Sequence, residues 1–348
     1  MYPFRVFIAY SHEDRQLAEQ LVKTLQGMGL EPMWDKDIRP GMPFTDAVKG
    51  MITYAHIFMP LITENSQHRP WVHQETGYAM ALNIPILPLA TGNLPGEMLT
   101  LLQAVIVKPD LSDLAERLQT ANIPHVVSPP PLPHSMIEVA DWPERRTELM
   151  AQYANRVVEF GKYGRLRQRG ALSSFCIPNK DVNDRIWTLR DGNNIRTTYS
   201  HHLSRQERIA LEVHARACGC SLIIDPTIDF SERGATTTRA RLSVLLEFLE
   251  SMPDDKVKVV MSPQAREGNL TIVGDWFVAE SLVPRPEGYR QTVFSWHAPT
   301  VLRWVSAFDQ QFEELYAESG LGPNKSRRKA IEKIKKIIRR LPKYKGSM

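Results

Sequence analysis

The chain has 348 residues, 43% hydrophobic and 24% charged, an ordinary balance for a globular protein and a length that suits two cores better than one. No apolar run reaches the roughly 20 residues of a membrane span, the start Met1-Tyr2-Pro3-Phe4-Arg5 leads into a strand-like run and not a signal peptide, and three cysteines do not suggest a disulfide framework, so a cytoplasmic location is expected. The net charge of +4 is uneven: residues 325–348 hold eleven lysines and arginines against Glu332 alone, an excess of +10 that leaves −6 for the other 324 residues.

From residue 4 to about 120, short β-rich runs alternate with helical patterns. Strands are expected at Arg5–Tyr10, Glu31–Trp34, Ile57–Ile62, Pro85–Leu89 and Val105–Val107. Between them, Leu17, Leu21 and Leu25, and then Ala47, Met51 and Ile52, recur at helical spacing. Ser11 and Asp14 suggest a capping box for the first helix, with Gly27 and Gly29 supplying its left-handed end. Such βα repetition predicts an α/β fold with a flavodoxin-like parallel sheet, and functional residues in loops at the strands' carboxyl ends.

Five prolines between Pro124 and His134 mark an extended linker, and residues 143–164 read as a helix opened by Pro143. Beyond it an α+β domain is expected, with a sheet of four or five strands: strands at Ser221–Ile224, Val257–Met261, Leu270–Val283 and Gln291–Trp296, and helices at Arg239–Ser251 and Pro299–Tyr316. Lys325–Leu341 is a basic amphipathic helix, with Ala330, Ile331, Ile334, Ile337, Ile338 and Leu341 on one face. Docking of that stripe on the neighbouring domain is the favoured reading, and contact with nucleic acid or an anionic membrane the alternative. The expected domains are thus 1–123, a linker and helix at 124–170, an α+β sensor or assembly domain at 171–320, and a basic tail at 321–348.

Three segments carry chemistry. Phe7-Ile8-Ala9-Tyr10-Ser11-His12-Glu13-Asp14 ends the first strand, Trp34-Asp35-Lys36-Asp37-Ile38-Arg39-Pro40-Gly41 follows the second, and Ser66-Gln67-His68-Arg69-Pro70-Trp71-Val72-His73-Gln74-Glu75 follows the third. In order and spacing they resemble the signatures of the TIR (Toll/interleukin-1 receptor) family, of the prokaryotic kind that cleaves NAD⁺. That resemblance implies a catalytic Glu75, with substrate contacts from Tyr10, Ser11, Trp34, Asp35, Arg39 and Trp71. It also implies TIR self-association and a role in antiviral defence, and it names NAD⁺ as substrate with no further cofactor. In NAD⁺ the leaving group is already a cationic pyridinium, so no general acid is needed, and one carboxylate beside the ribose can stabilise the oxocarbenium-like transition state. Trp71 lies one helical turn before Glu75 and so shares its face. A different class, a non-catalytic TIR scaffold, fits the same motifs.

Other readings of this sheet lack their residues. A phospho-receiver needs acidic groups where Tyr10-Ser11 and Ile62-Thr63 stand, and neither G-x-G-x-x-G nor a G-x-x-x-x-G-K-[ST] phosphate loop occurs. His214, Cys218, Cys220 and Cys176 supply only half of a zinc pattern, and the cysteines read instead as buried small thiols. Residues 270–275 and the segment Phe308-Asp309-x-x-Phe312 resemble one half of a phospholipase D-like fold, with Gly268 and Leu270 in the places of its histidine and lysine.

Overall fold

The computed structural model describes residues 4–35, 44–67, 69–92, 103–121, 123–127, 136–141, 143–170, 174–178, 194–227, 234–282, 291–320 and 325–342. The chain divides into two compact units, Met1–Ile137 with Trp296–Arg303, and Glu138–Ser295 with Trp304–Met348.

The first unit is built on strands β1 (Arg5–Ala9), β2 (Glu31–Met33), β3 (Ile57–Ile62), β4 (Leu89–Ala90) and β5 (Val105–Ile106), in the order β2-β1-β3-β4-β5. All neighbours are parallel, with Val6 opposite Pro32, Phe7 opposite Phe58 and Leu61 opposite Leu89. This is the flavodoxin-like order expected from the βα repetition. Every residue of β1 and β3 is buried, as a sheet covered on both faces requires. Helices α1 (Arg15–Gly27), α2 (Phe44–Tyr54), α3 (Glu64–Gln67), α4 (Pro70–Ala81), α5 (Leu114–Thr120) and α6 (Ile123–Val126) complete it. On one side Leu21 and Leu25 of α1 and Leu114 of α5 pack on Val6, Ile8 and Leu89. Phe7 and Phe58 point to the other side and stack at 5.7 Å.

Two local expectations need correction. Residues 85–88 were expected to be part of β4, but Pro85 and Pro88 cannot donate to a ladder, so only an isolated bridge from Ile86 to Phe58 precedes the two-residue strand. Nor is a capping box formed: Ser11 makes no side-chain cap bond. The Asp14 carboxylate instead accepts from Thr63 Oγ1 at 2.5 Å and Asn65 Nδ2 at 2.7 Å, tying the start of α1 to the loop after β3. The other end of α1 is as expected at Gly29, whose φ of 77° closes the helix while Leu30 N bonds Leu25 O at 3.0 Å. Gly27 is simply the last helical residue.

The second unit holds, among the described residues, a seven-stranded sheet ordered β6-β12-β11-β10-β7-β8-β9. The strands are β6 (Ile137–Ala140), β7 (Leu166–Gly170), β8 (Cys220–Ile224), β9 (Val257–Met261), β10 (Leu270–Val273), β11 (Phe277–Ser281) and β12 (Thr292–Ser295). Strands β7, β8 and β9 are parallel, while β10, β11 and β12 form an antiparallel meander beside β7. The expected four or five strands were too few because β6 and β7 lie in the segment read as linker and helix, and because 270–283 is a hairpin of two strands. The helix expected at 143–164 ends at Glu159, since Gly161 takes a φ of 71°. Its turn brings Gly164 against Gly274, where an added Cβ would stand 2.3 Å from the Gly274 Cα.

Helices α7 (Pro143–Glu159), α8 (Asn194–Cys218), α9 (Ala235–Ser251), α10 (Ala298–Glu318) and α11 (Lys325–Arg340) accompany this sheet. The basic helix α11 docks, as favoured. Ala330 and Ile334 are buried; Arg239 Nη1 bonds the carbonyls of Ile338 and Leu341 at 2.6 and 2.7 Å, and Arg327 reaches the carbonyls of Leu249 and Met252. Cys176 and Cys220 are buried but Cys218 is exposed, correcting the expectation of three buried thiols. His214 Nε2 bonds Ala154 O at 2.8 Å. Asp309 of α10 takes the buried Arg167 of β7 in a two-pronged pair at 2.7 and 2.8 Å. Among the described residues no helix is long and apolar enough to cross a membrane.

Candidate active site

The segment after the carboxyl end of β1 and the first turn of α4 meet around a cleft of about 680 Å³, a size that accommodates a nucleotide. Tyr10, Ser11, His12 and Glu13 reach it because β1 ends at Ala9 and the chain turns through a short 3-10 segment. Arg69 and Trp71 reach it because Pro70 starts α4, its fixed φ suiting the first helical position.

On the β1–β2 side, the Tyr10 hydroxyl donates to Asp35 Oδ1 at 2.6 Å, and the Tyr10 and Trp34 rings lie 6.0 Å apart. His12 Nδ1 stands 3.6 Å from Asp35 Oδ2. Burial, and then the hydrogen bond to the neighbouring carboxylate, push the Tyr10 phenol above its ordinary pKa, so it stays a donor.

On the α4 side, Glu75 is 7% exposed. Its carboxyl takes a hydrogen bond from the Trp71 indole, which holds it toward the ionised form. Burial outweighs that bond, and repulsion from Asp35 adds to burial; together they push the Glu75 pKa up to about 8. A carboxyl raised so far by a dry setting and a like charge is what acid–base and electrostatic sites use.

Of the residues singled out from the sequence, Tyr10, Ser11 and Trp71 line the cleft. Trp34 and Asp35 support Tyr10, while Glu75 lies one turn along α4 from Trp71, behind the lining and not on it. Arg39 and the Pro40-Gly41 turn lie outside the described residues. His12, Glu13 and Arg69 also line the cleft; the available signal was their place in the same motif segments, directly after Tyr10-Ser11 and before Pro70-Trp71.

Residues 6–122 match the TIR domain family. No curated protein matches the chain. Among solved structures, the TIR domain of the Toll-related receptor TRR-2 from Hydra magnipapillata is 17% identical, with a TM-score of 0.31, over 34% of this chain and 97% of that one. The CMP N-glycosidase BcmB of Clostridium botulinum is 19% identical, with a TM-score of 0.28, over 34% of this chain and 98% of that one. The family match alone makes residues 6–122 a TIR domain.

Proposed function

We propose that the TIR domain at residues 6–122 is an NAD⁺ glycohydrolase, with Glu75 as its catalytic carboxylate. The bond from ribose C1′ to the pyridinium nitrogen breaks, and its electron pair neutralises the ring, so nicotinamide leaves without being protonated. Water adds at C1′ and loses a proton, giving ADP-ribose; attack by the substrate's own adenine in place of water gives a cyclic product. Glu75 stabilises the sugar cation as it forms. Tyr10, Ser11 and Trp71 bind the substrate, with Trp34 and Asp35 behind Tyr10.

The observation that carries this reading is the pairing of a buried, electrostatically perturbed carboxyl with an indole that itself walls a nucleotide-sized cleft. The raised pKa leaves Glu75 mostly neutral at pH 7 in the free protein. A cationic nicotinamide in the cleft favours the carboxylate and so switches the acid to its working form as substrate arrives. Self-association of TIR domains, brought about by the second unit as a sensor or assembly module in a defence response, completes the proposal.

One observation favours a second reading, a TIR scaffold without catalysis: Glu75 is absent from the surface that lines the cleft. Nicotinamide release from NAD⁺ by the assembled protein and by a Glu75→Gln variant separates the two.

A further inference from the structure

We propose that Arg69, with Ser11, His12 and the first turn of α4, forms an anion subsite for the diphosphate of a dinucleotide, and that Glu13 fills it in the free protein as a tethered competitor. The inference rests on reading this cleft as a dinucleotide site. It adds the groups that hold the charged middle of the substrate and the contact that must break to admit it.

Glu13 and Arg69 both line the cleft, one from the turn after β1 and one from the residue before α4, and they form an ion pair. Their side chains are 52% and 51% exposed, so the pair is weak and open to exchange with another anion. A diphosphate is the better partner for Arg69: it carries more charge than one carboxylate, and its oxygens match the guanidinium fork two at a time.

The surroundings suit an anion as well. Arg69 occupies the N-cap position of the twelve-residue α4 and provides no capping hydrogen bond, so the leading N–H groups of α4 lack the oxygen that a serine or aspartate would offer there. The positive end of the helix dipole adds to the attraction. Independently of the helix, Ser11 lines the same cleft at 3% exposure, and its hydroxyl has no hydrogen-bond partner among the described residues. A buried hydroxyl left unpaired is costly, and a phosphate oxygen would satisfy it. His12 supplies a further donor from the side that faces Asp35.

Glu13 then acts as a threshold. A neutral ligand of the cleft leaves the Glu13–Arg69 pair in place, whereas a diphosphate-bearing one displaces it. The nicotinamide end of a dinucleotide can therefore approach Trp71 and Glu75 while its diphosphate trades places with Glu13.

The test is isothermal titration of the full chain with ADP, and with adenosine as the uncharged control. Glu13→Gln removes the competitor and should tighten ADP binding by about 3–10-fold, while Arg69→Ala should weaken it by about 10-fold or more, with Arg69→Lys between. The double variant should match Arg69→Ala, because the competitor matters only when Arg69 is present, and adenosine should bind all forms alike. Inorganic pyrophosphate, added as a competitor, should displace ADP from the wild type and fail against Arg69→Ala. The proposal is overturned if ADP affinity is unmoved by both single substitutions, if Glu13→Gln weakens it, if adenosine shifts in parallel, or if no form binds ADP. The titration needs no turnover, so it separates the two claims. The predicted ADP pattern in a protein that releases no nicotinamide removes the glycohydrolase and keeps the subsite; an active enzyme with unmoved ADP affinity does the reverse.

Discussion

The indole of Trp71 hydrogen-bonds the carboxyl of Glu75 one helical turn further along α4, while Trp71 itself walls the cleft from which Glu75 is set back. Trp71 thus links the set-back acid to the wall of the cleft. It also opposes the desolvation that keeps the acid protonated.

Replacing the indole by a ring without a donor isolates that second role. In Trp71→Phe the Glu75 pKa should rise further above about 8, since the bond that lowers it is lost. Nicotinamide release at pH 7 should fall roughly tenfold and recover in part as the pH is raised, because a typical charge-assisted hydrogen bond is worth about 1.5 kcal/mol. The pH–rate profile measures the shift, and an unmoved rising limb contradicts it.

Asp35→Asn should act in the opposite direction. It removes the carboxylate that repels the ionised form of Glu75, so the rising limb should move to lower pH. The Tyr10 phenol should also titrate at lower pH in an ultraviolet titration, since Asp35 is among the groups that raise it. Asn keeps an acceptor for the Tyr10 hydroxyl, so a change in fold would show separately in the circular dichroism.

The same acid makes stability depend on pH. Its pKa in the folded protein, about 8, lies above the ordinary 4.5, so the folded state holds the proton more tightly. That contribution is fully present below pH 4.5 and is lost as pH rises through 8. Glu75→Gln, which cannot ionise, should therefore melt close to the wild type at pH 4.5 and several degrees above it at pH 9. Thermal unfolding at the two pH values reads the difference, and equal gaps would remove the burial argument.

In the second unit, Asp309→Ala leaves Arg167, at 2% side-chain exposure, without its two-pronged partner. Asp309 is 45% exposed, so solvent softens the loss, and a cost of about 1–3 kcal/mol is expected. The transition of that unit in calorimetry should shift down, and Arg167→Met added to Asp309→Ala should restore part of the loss.

The parallel sheet was legible because β1 and β3 are short continuous apolar runs that alternate with amphipathic helices, and such βα alternation pointed to the flavodoxin-like order. Trp71 and Glu75 were legible as a pair because spacing of four on a helix fixes a common face. The segments that escaped did so because their burial is polar. Strand β7 reads Leu-Arg-Gln-Arg-Gly, with Arg167 buried by Asp309 and Gln168 by Ser174 Oγ at 2.9 Å, partners that only the fold supplies. Helix α8 likewise buries Glu207 and Arg208. Glu207 pairs with Arg146 and Ser174, and Arg208 reaches the Phe175 and Ile177 carbonyls, so polar residues interrupt the buried apolar set of Leu203, Ala210, Leu211 and Ala215. In the cleft, Glu13 and Arg69 are 56 positions apart, and their pairing follows from topology alone.

The most direct measurement is nicotinamide release from NAD⁺ by the concentrated, self-associated chain beside Glu75→Gln at equal concentration, both forms shown to be folded by circular dichroism. The account predicts release by the wild type and a loss of at least about a hundredfold in the variant, as expected when a transition-state electrostatic contact is removed. Equal release by the two, or none from the assembled wild type, contradicts it and leaves the TIR domain as an interaction module.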